Sequence, residues 1–249
     1  MSFCDLTGKT ILVTGASSGI GMQTAISISR RGGTLFITGR NHEKLEETFL
    51  KLEGKGHAKL AADLVNSDDR TQLANMLPAL DGLVHCAGIV GPTPAKYIRE
   101  EDIKKLFGIN YRVPVLLTAL ILQMKKLNRG GSVVMMSSVV TQSPYFGGSL
   151  YAGAKGALEA YTKSLALELV DRKVRVNCLS PGLVNTPLIT DPAKEQNPEI
   201  VDDSLKRYIA KYPMGVGEAD DVAHAVIFLL SDESRWISGA NIPMGAVIR

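Results

Sequence analysis

Three residues near the middle of the chain could carry out acid–base chemistry on a carbonyl or an alcohol. Tyr151 and Lys155 are four residues apart, a spacing that places both on one face of a helix with Cβ atoms about 5–6 Å from each other. An ammonium group held there stabilises a phenolate, so it lowers the pKa of the tyrosine from about 10 towards the range useful for proton transfer. Ser138 follows a Val- and Met-rich segment, and its hydroxyl could hydrogen-bond the substrate oxygen. The Tyr-x-x-x-Lys pattern alone is weak, because an ordinary pair on a helix surface has the same spacing.

A glycine-rich segment near the amino terminus is typical of a phosphate-binding turn. Residues 11–13 are an apolar run, and the segment Thr-Gly-Ala-Ser-Ser-Gly-Ile-Gly at 14–21 follows it directly. A turn between a strand and a helix exposes backbone N–H groups at the positive end of the helix dipole, which attracts phosphate. Glycines in the turn carry no Cβ atoms that would keep a pyrophosphate away from this backbone. The spacing is G-x-x-x-G-x-G rather than G-x-G-x-x-G, and it predicts a nucleotide site that includes Gly15, Ser17, Ser18, Gly19 and Ile20.

The end of the second predicted strand indicates which nucleotide binds. An acid there would hydrogen-bond the ribose 2′-hydroxyl of NAD(H), whereas a cation would accommodate the 2′-phosphate of NADP(H). The chain has Arg40 and Asn41 at this point and no acid before Glu43, so we expect NADP(H), with Arg40 on the phosphate and Asn41 beside it. NAD(H) is the alternative, because Arg40 could also be an ordinary solvated arginine. The ends of the next two strands supply further candidates: Asp63 near the adenine with Leu64 beside it, and Ala87 and Gly88.

Strands and helices alternate along the chain, and this pattern positions the candidate residues. The first half predicts strands at 11–13, 35–37, 58–62 and 83–84, and helices at 20–31, 43–52 and 68–76. The second half predicts helices at 113–126, 150–169 and 219–230, and strands at 132–136, 174–179 and 240–244. Pro114 falls in the first turn of its predicted helix, where proline is tolerated. The alternation predicts one α/β domain over residues 1–249, with a doubly wound parallel sheet and helices on both faces.

Residues 183–213 interrupt the alternation and predict a substrate lid. The segment contains four prolines around short helical stretches, and a long interruption inside a compact fold is more often functional than a linker. Its apolar residues, together with Tyr145 and Phe146 after the catalytic strand, indicate an aliphatic or aromatic carbonyl substrate. The alternative is that these apolar residues only pack the lid itself. The lid residues concerned are Leu183, Val184, Leu188 and Ile189.

The composition argues against several other classes of protein. The 249 residues carry 28 Lys and Arg against 25 Asp and Glu, a net charge of +3, which is too small to predict binding to nucleic acid or to an anionic membrane. The three cysteines are far apart and the four histidines lack ligand spacing, so neither a disulfide framework nor a metal site is predicted. No uninterrupted apolar run approaches the ~20 residues of a membrane helix, and we expect a cytoplasmic protein.

Five features occur in a fixed order along the chain: the glycine turn, Ala87-Gly88, Ser138, Tyr151 with Lys155, and Pro181-Gly182. With these features the chain resembles the short-chain dehydrogenase/reductase family over nearly its full length. It also matches the family's helix asparagine at Asn110 and its Asn-Ala-Gly region at residues 86–88, where this chain has Cys86 first. Within the family it looks most like bacterial 3-oxoacyl-carrier-protein reductases, whose relatives include sugar, polyol and steroid dehydrogenases.

The resemblance implies a Rossmann-like sheet of about seven strands and a role for each matched residue. Tyr151 is implied as the acid and base, Lys155 as a ligand of the nicotinamide ribose that also tunes Tyr151, and Ser138 as the group that polarises the carbonyl. Asn110 is implied to anchor a proton-relay water, and Thr186 to contact the cofactor carboxamide. Further cofactor contacts are expected at Pro181, Gly182 and Val184.

The function implied is NADPH-dependent reduction of a carbonyl, either a 3-oxoacyl thioester or another ketone, to a secondary alcohol. Two alternatives are an NAD-linked alcohol or sugar dehydrogenase and a nucleotide-sensing scaffold that keeps the fold without the chemistry. A scaffold has no use for the complete set of Asn110, Ser138, Tyr151 and Lys155, so we expect an enzyme.

Two departures from the family pattern and one helix surface bear on structure and assembly. His85-Cys86 stands where the family usually has Asn-Asn, which puts a hydrogen bond that braces the central sheet in doubt. The tail at 242–246 lacks the usual Asp-Gly-Gly, so subunit contacts or the edge of the substrate site could differ. The helix around Tyr151 is rich in Ala and Gly, which permits close approach of another helix. In the family this helix and the one at 113–126 pair between subunits, which implies a homotetramer or homodimer.

Overall fold

The computed structural model describes residues 3–187 and 214–245 of the chain. Its strands are β1 (Thr10–Thr14), β2 (Thr34–Gly39), β3 (Ala58–Ala61), β4 (Leu80–His85), β5 (Leu127–Met136), β6 (Arg175–Pro181), β7 (Val184–Asn185), β8 (Gly217–Glu218) and β9 (Asn241–Met244). Its α-helices are α1 (Gly19–Arg30), α2 (His42–Phe49), α3 (Ser67–Met76), α4 (Glu100–Phe107), α5 (Val113–Gln123), α6 (Ser149–Glu168) and α7 (Ala219–Leu230).

Seven strands form one parallel sheet in the order β3-β2-β1-β4-β5-β6-β9. The predicted Rossmann-like architecture of about seven strands is therefore confirmed. From β1 the chain first adds strands on one side, through β2 to β3, and then crosses to β4 on the other side. Parallel sheets bind ligands in the crevice beyond the carboxyl ends of the strands where this reversal occurs. The fold thus predicts a ligand site between the ends of β1 and β4.

Helices cover both faces of the sheet, because neighbouring residues of each buried strand point to opposite sides. Ile11 and Val13 of β1 pack in one apolar cluster that includes residues of α1, α2 and α7, such as Ile28 and Val226. Leu12 packs in the other cluster, with residues of α3, α5 and α6. Two buried layers therefore fix α6 on one face of β5 and α1 at the end of β1.

The helix predicted at 113–126 is part of a longer one; its α5 segment begins at Val113 as predicted but ends at Gln123 rather than residue 126. The chain is helical from Glu100, through a π-helical turn at Gly108–Arg112, to Gln123. Pro114 lacks the N–H that would bind the carbonyl of Asn110 in a regular α-helix. A π-helical turn is a recognised way to pass such an interruption, and here Val113 donates to the carbonyl of Gly108. Pro114 therefore follows a wider turn inside a helix rather than starting one.

The helix from Glu100 to Gln123 is long and apolar enough to cross a membrane by length and composition, with a mean hydropathy of 1.4 over its most apolar window. Its α5 part packs against α3 and β5, and its α4 part packs against α6. Leu117 and Ile121 are fully buried in the core cluster beneath the sheet. Burial accounts for only part of the apolar character of this helix, because 39% of that window is buried inside the protein.

Two further differences from the predicted elements lie near the site. Strand β5 begins at Leu127 rather than residue 132, because Leu80 pairs with Leu127 ahead of an irregularity in the register with β4. The lid predicted at 183–213 begins with β7, which pairs with β8 just after the predicted segment, and Leu183 and Val184 are buried. Leu188, Ile189 and the rest of that segment as far as residue 213 lie outside the described residues.

Candidate active site

Tyr151 and Lys155 lie one turn apart on α6, on the face directed at the end of β5. Lys155 is buried, and its Nζ donates to the carbonyl of Met136 at 2.7 Å. The same Nζ lies 5.6 Å from the centre of the Tyr151 ring. Because Met136 is the last residue of β5, the sheet fixes the ammonium group beside the phenol. The sequence-based pairing of tyrosine and lysine on one helix face is therefore observed.

Burial lowers the pKa of Lys155 to about 8, because a charged amine loses hydration inside the protein. Nearby Cys178 and Cys86 act in the opposite direction but less strongly. At pH 7 the amine remains mostly protonated, so it still acts as a cation beside Tyr151. A modest rise in pH removes that charge, which an exposed lysine would keep.

Ser138 lies just beyond the end of β5 and begins a 3₁₀ turn at Val139–Thr141. Its Oγ accepts a hydrogen bond from the backbone N–H of Val140 at 3.3 Å. Because this bond uses the oxygen as an acceptor, the hydroxyl hydrogen can be donated to a substrate oxygen. The geometry is thus compatible with the expected polarising role.

Asn110 is buried in the π-helical turn and binds the segment that follows β4. Its Nδ2 donates to the carbonyls of Ile89 at 2.9 Å and Leu106 at 3.0 Å, and its Oδ1 accepts from the N–H of Ile89 at 3.1 Å. A Cβ at Gly88 would lie 2.9 Å from Asn110 Oδ1 and 3.6 Å from Lys155 Nζ. Asn110, Gly88 and Lys155 therefore meet at one point beyond the sheet.

The glycine turn brings the end of β1 against the end of β4. Gly15 has a φ of +67°, and a Cβ there would lie 2.6 Å from the backbone nitrogen of Ala87. A Cβ at Gly19, where φ is +52°, would lie 3.2 Å from the side chain of Thr186. Only glycine meets both the backbone conformation and the close approach at these two positions. The turn thus joins the first strand, the fourth strand and Thr186 around one space.

A cavity of about 320 Å³ occupies this space, at the lower end of the size range of small-molecule sites. It begins at the amino terminus of α1, where Ser18 provides no side-chain cap among the described residues. Backbone N–H groups of a first helical turn without such a cap are available to an anion. Twelve residues expected from the sequence to bind a cofactor line this cavity: Gly15, Ser17, Ser18, Gly19, Ile20, Arg40, Asn41, Asp63, Leu64, Ala87, Gly88 and Thr186.

The remaining expected contacts lie outside the lining of the cavity. Lys155 approaches it through Gly88. Pro181 ends β6, and Gly182 donates from its N–H to the carbonyl of Met244 at 2.9 Å. Val184 is buried in the β7 strand. Pro181 and Gly182 thus lie at the carboxyl end of β6, and Val184 lies in the separate two-stranded sheet of β7 and β8.

Lys44 is a lining residue that the sequence reasoning missed. The side chain of Asn41 accepts from the backbone N–H of Lys44 at 2.9 Å and so caps α2, which places Lys44 in the first turn of that helix, close to Arg40. Both cations are exposed and line the same cavity. Ser17 lies against the end of β2, since a Cβ at Gly39 would be 2.9 Å from its Oγ. The sequence did contain a signal for this residue, because Lys44 is a second cation only four residues after Arg40.

Other missed lining residues are mainly apolar or partly buried and carried no chemical signal in the sequence: Ala62, Val65, Cys86, Ile109 and Val113. Burial raises the pKa of Cys86 to about 12, and the charge of Lys155 only partly offsets this effect. Cys86 is therefore a neutral thiol in the wall of the cavity rather than a nucleophile.

His85 and Cys86 replace the asparagines expected before Ala87, and the structure shows what braces this region. The Nε2 of His85 lies 2.9 Å from the Oγ1 of Thr118 on α5, so β4 is tied to a helix. The N–H of Ala87 donates to the Oγ1 of Thr14 at 3.3 Å, which ties β4 to β1. Within the described residues the Nδ1 of His85 has no hydrogen-bond partner, and burial lowers the pKa of His85 to about 3.

The arrangement suits a dinucleotide. The glycine turn and the start of α1 match a pyrophosphate, and Arg40 with Lys44 matches a further phosphate. A sequence model of the family described as enoyl-(acyl carrier protein) reductase matches residues 15–245. The chain belongs to the short-chain dehydrogenase/reductase family. It is therefore an NAD(P)-dependent oxidoreductase.

Curated relatives cover nearly the whole chain. The 3-oxoacyl-[acyl-carrier-protein] reductase of Rickettsia felis is 35% identical over 239 residues, which is 96% of this chain and 95% of the relative. The 2,5-dichloro-2,5-cyclohexadiene-1,4-diol dehydrogenase of Sphingobium indicum is 30% identical over 249 residues, with 96% of this chain and 95% of the relative covered. The similar relatives thus include both a reductase and a dehydrogenase.

A solved structure with the same fold extends this comparison. The promiscuous reductase LugOII, which catalyses keto-reduction at C1 during lugdunomycin biosynthesis, is 30% identical with a TM-score of 0.84, and 96% of each chain is covered. The predicted family and fold class are confirmed, while the roles of individual site residues stay predictions.

Proposed function

We propose that the protein reduces a ketone to a secondary alcohol with NADPH, and that Tyr151 is the proton donor. The observation that carries this proposal is the fixed position of Lys155, with its Nζ bonded to Met136 and 5.6 Å from the Tyr151 ring. A cation in that place stabilises the phenolate that forms when the tyrosine gives up its proton. An ordinary surface pair of tyrosine and lysine would not have its ammonium buried at the end of a strand.

Four side chains divide the work of the reaction. When bound, the nicotinamide cofactor supplies the hydride equivalent of the reduction. The Ser138 hydroxyl donates a hydrogen bond to the substrate carbonyl oxygen, and Tyr151 protonates that oxygen as negative charge develops on it. Lys155 holds the cofactor ribose and favours the ionised tyrosine. Asn110 fixes the segment after β4 and is proposed to anchor a water through which Tyr151 regains a proton.

NADPH is the proposed cofactor because two cations meet at the end of β2. Arg40, Asn41 and Lys44 line the cavity at the end proposed for the adenosine, and the chain carries no acid at 40–42 that would hydrogen-bond the ribose 2′-hydroxyl. Arginine and lysine bind phosphate through charge-assisted hydrogen bonds, which supports a 2′-phosphate at this position. The proposed contacts at the other end are Thr186, Pro181, Gly182 and Val184.

The proposed substrate is a ketone with an apolar chain or ring, such as a 3-oxoacyl thioester. The loop that carries Tyr145 and Phe146 lies beside the loop after β4, because the N–H of Thr93 donates to the carbonyl of Gly147 at 2.9 Å. Phe146 is 86% exposed, which places apolar surface at the edge of the candidate site. The names of the Rickettsia felis relative and of LugOII both refer to reduction of a keto group.

The alternative function is oxidation of an alcohol or diol with NAD. The Sphingobium indicum relative, a diol dehydrogenase, is similar to this chain over the same length. The same tyrosine and lysine serve either direction, since the tyrosine takes a proton in oxidation and gives one in reduction. The cations at 40 and 44 favour the reductive proposal.

The proposal is tested by nicotinamide absorbance with purified protein and a panel of acetoacetyl thioesters, cyclic and aromatic ketones, and sugars, with NADPH and NADH in parallel. We expect kcat/KM with NADPH to exceed that with NADH for at least one ketone. Alcohol oxidation with NAD and no ketone reduction would establish the alternative. Absence of turnover in both directions would contradict the proposal.

We further propose a cytoplasmic homotetramer or homodimer that associates through α5 and α6. Apolar residues of α5 that turn away from the core are only partly buried in the single chain, namely Val115, Leu116 and Leu120, and Leu167 of α6 is 75% exposed. Partly covered apolar helix faces of this kind favour association. All three cysteines are free, which supports a reducing compartment. Light scattering that gives the mass of a monomer would contradict the assembly.

A further inference from the structure

Glu159 lies one turn beyond Lys155 on α6. Its carboxylate contacts hydroxyl groups close to Ser138 and at the end of β6. Its Oε1 accepts from the hydroxyls of Ser137 at 2.7 Å and Thr141 at 3.0 Å. The hydroxyl of Ser180 at the end of β6 is 3.3 Å from the same oxygen. One carboxylate oxygen thus contacts three hydroxyls from the ends of two strands and the turn between β5 and α6.

Each of these hydroxyls also lies near a second acceptor, and the distances show which of its two hydrogen bonds is the shorter. The Ser137 hydroxyl has one hydrogen, and its other acceptor, the carbonyl of Lys155, is farther away at 3.4 Å. Thr141 is closer to Glu159 than to the carbonyl of Ser138 at 3.2 Å. Ser180 is closer to the Oδ1 of Asn241, at 2.7 Å. The principal bonds of Glu159 are therefore those to Ser137 and Thr141, and Ser180 is a secondary contact.

Ser137 and Thr141 flank Ser138 in the chain, and Glu159 therefore holds the turn of Ser138 at both ends. Tyr151, Lys155 and Glu159 follow each other at intervals of four residues, so they share one face of α6. Lys155 binds the carbonyl of Met136, while Glu159 binds the hydroxyl of the next residue. Two consecutive turns of α6 are thereby fixed to two consecutive residues at the end of β5.

We propose that Glu159 is a positioning residue that sets the distance between the Ser138 hydroxyl and the Tyr151 hydroxyl by accepting hydrogen bonds from Ser137 and Thr141. This inference rests on the proposed roles of Ser138 and Tyr151. Hydrogen-bond donors act in catalysis only when they are preorganised towards the reacting oxygen, and a displacement of about 1 Å can reduce the rate about 100-fold.

The experiment compares E159L, E159Q and a control, E168L, on the same helix. Leucine has a similar size but accepts no hydrogen bond, whereas the glutamine carbonyl can accept from both hydroxyls. Glu168 is exposed in the last turn of α6, so its replacement tests the general effect of removing a carboxylate from this helix. Steady-state kcat and KM for a ketone found with the unaltered protein, thermal unfolding and amide hydrogen exchange of residues 137–142 are measured for each variant.

We expect E159L to lower kcat about 10- to 100-fold with KM changed less than about threefold. The hydroxyls of Ser138 and Tyr151 would lose their relative position, while the surface that binds the substrate would be kept. E159Q and E168L should stay within about threefold of the unaltered kcat. A folded E159L with unaltered kcat, or an E159Q as impaired as E159L, would overturn the proposal. A purely structural role would lower the unfolding temperature without this difference in kcat between leucine and glutamine.

Two further comparisons keep the proposal testable. If E159L does not fold, the double variant S137A/T141V removes both hydroxyls that donate to Glu159, and T141V does so at nearly constant shape. An unaltered kcat in this double variant would overturn the proposal. If the unaltered protein reduces no ketone, the proposed function fails, and hydrogen exchange then decides about Glu159. Faster exchange at residues 137–142 in E159L than in E159Q and E168L would support the positioning contacts, and equal exchange in all variants would exclude them.

Discussion

The Nζ of Lys155 lies 5.6 Å from the ring centre of Tyr151 and is held there by the carbonyl of Met136. The lysine contributes its charge from a buried position at the end of β5. Burial weakens that charge by favouring the neutral amine. The site therefore combines a precise location for the cation with a pKa close to physiological pH.

Replacement of Tyr151 by phenylalanine should abolish most turnover and leave the fold unchanged. The ring keeps its packing, while the proton donor is lost, and a positioned acid typically contributes about 100-fold or more to the rate. We expect kcat to fall by at least that factor, with NADPH affinity, measured by fluorescence titration, changed less than about threefold. The rings of Tyr111 and Tyr161 meet edge to face with centroids 6.4 Å apart, and Tyr111→Phe, which keeps this ring contact, is the control. A Y151F variant with full turnover would exclude the proposed proton donor.

The rate of ketone reduction should fall as pH rises through about 8. The pKa of Lys155 is lowered to about 8, so the ammonium is present below this pH and is lost above it. In the reductive direction the charged lysine is the active form, and the loss approaches tenfold per pH unit well above the pKa. Measurement of kcat between pH 6 and 10 checks this prediction. K155M should give a low rate without that decline, and a profile of the unaltered enzyme that stays flat to pH 10 would contradict it.

Arg40 and Lys44 should determine the preference for NADPH. R40A removes a charged donor at the proposed 2′-phosphate, and hydrogen bonds to charged groups contribute roughly 1.5–3 kcal/mol. We expect KM for NADPH to rise about tenfold or more while KM for NADH changes little, with a smaller rise for K44A. Lys51, exposed just after α2, provides the control K51A. Equal effects of R40A on both cofactors would exclude the phosphate contact.

Gly88 and Gly108 offer a matched pair for testing the junction of Asn110 and Lys155. A Cβ at Gly88 would lie 2.9 Å from the Oδ1 of Asn110, whereas a Cβ at Gly108 would meet nothing within 4 Å among the described residues. Because three hydrogen bonds hold the Asn110 side chain, it cannot easily move away from an added Cβ. Overpacking of this kind lowers the free energy of unfolding by ~1–3 kcal/mol. We expect G88A to lower both the unfolding temperature and kcat, and G108A to leave kcat unchanged. Equal behaviour of the two variants would contradict the proposed junction.

The sequence was sufficient to predict the sheet because its signals are local. Apolar runs such as 11–13, followed by glycine and an amphipathic helix, determine a strand and its crossover wherever they occur. The helix at 100–112 was missed although Ile103, Leu106 and Phe107 have the i, i+3, i+4 spacing of an amphipathic helix. Its end also continues through a π-helical turn, which depends on Pro114 and on packing against α6.

The candidate site was predictable where residues carry groups suited to the chemistry and lie at a characteristic spacing from each other in the sequence. Tyr151, Lys155 and the glycine turn meet this condition, and the structure brings them to one edge of the sheet. Glu159 does not, because its partners Ser137, Thr141 and Ser180 are separated from it by 18 to 22 residues. Only the docking of α6 on β5 and β6 shows that this glutamate binds the strand ends.

Buried His85 should make the folded protein less stable in mild acid. Burial lowers its pKa to about 3 from an ordinary value of 6.5, and its Nδ1 has no partner among the described residues. A histidine with a lowered pKa in the folded state contributes stability above the unfolded-state pKa and loses it as pH falls. Between pH 6.5 and about 3 the unfolded chain binds a proton at His85 that the folded chain does not bind. The free energy of unfolding therefore decreases by up to ~1.4 kcal/mol for each pH unit that the pH falls.

We therefore expect the free energy of unfolding, measured with urea, to decrease from pH 6.5 to pH 5 in the unaltered protein. The H85Q variant removes the titrating group but keeps a polar side chain that can reach Thr118, so its slope over this range should be smaller by up to ~1.4 kcal/mol per pH unit. His42 is exposed at the start of α2, and H42Q should leave the slope unchanged. Since the comparison uses slopes, it is independent of any overall loss of stability in H85Q. Identical slopes for H85Q and the unaltered protein would mean that His85 is not the buried neutral histidine that the structure shows.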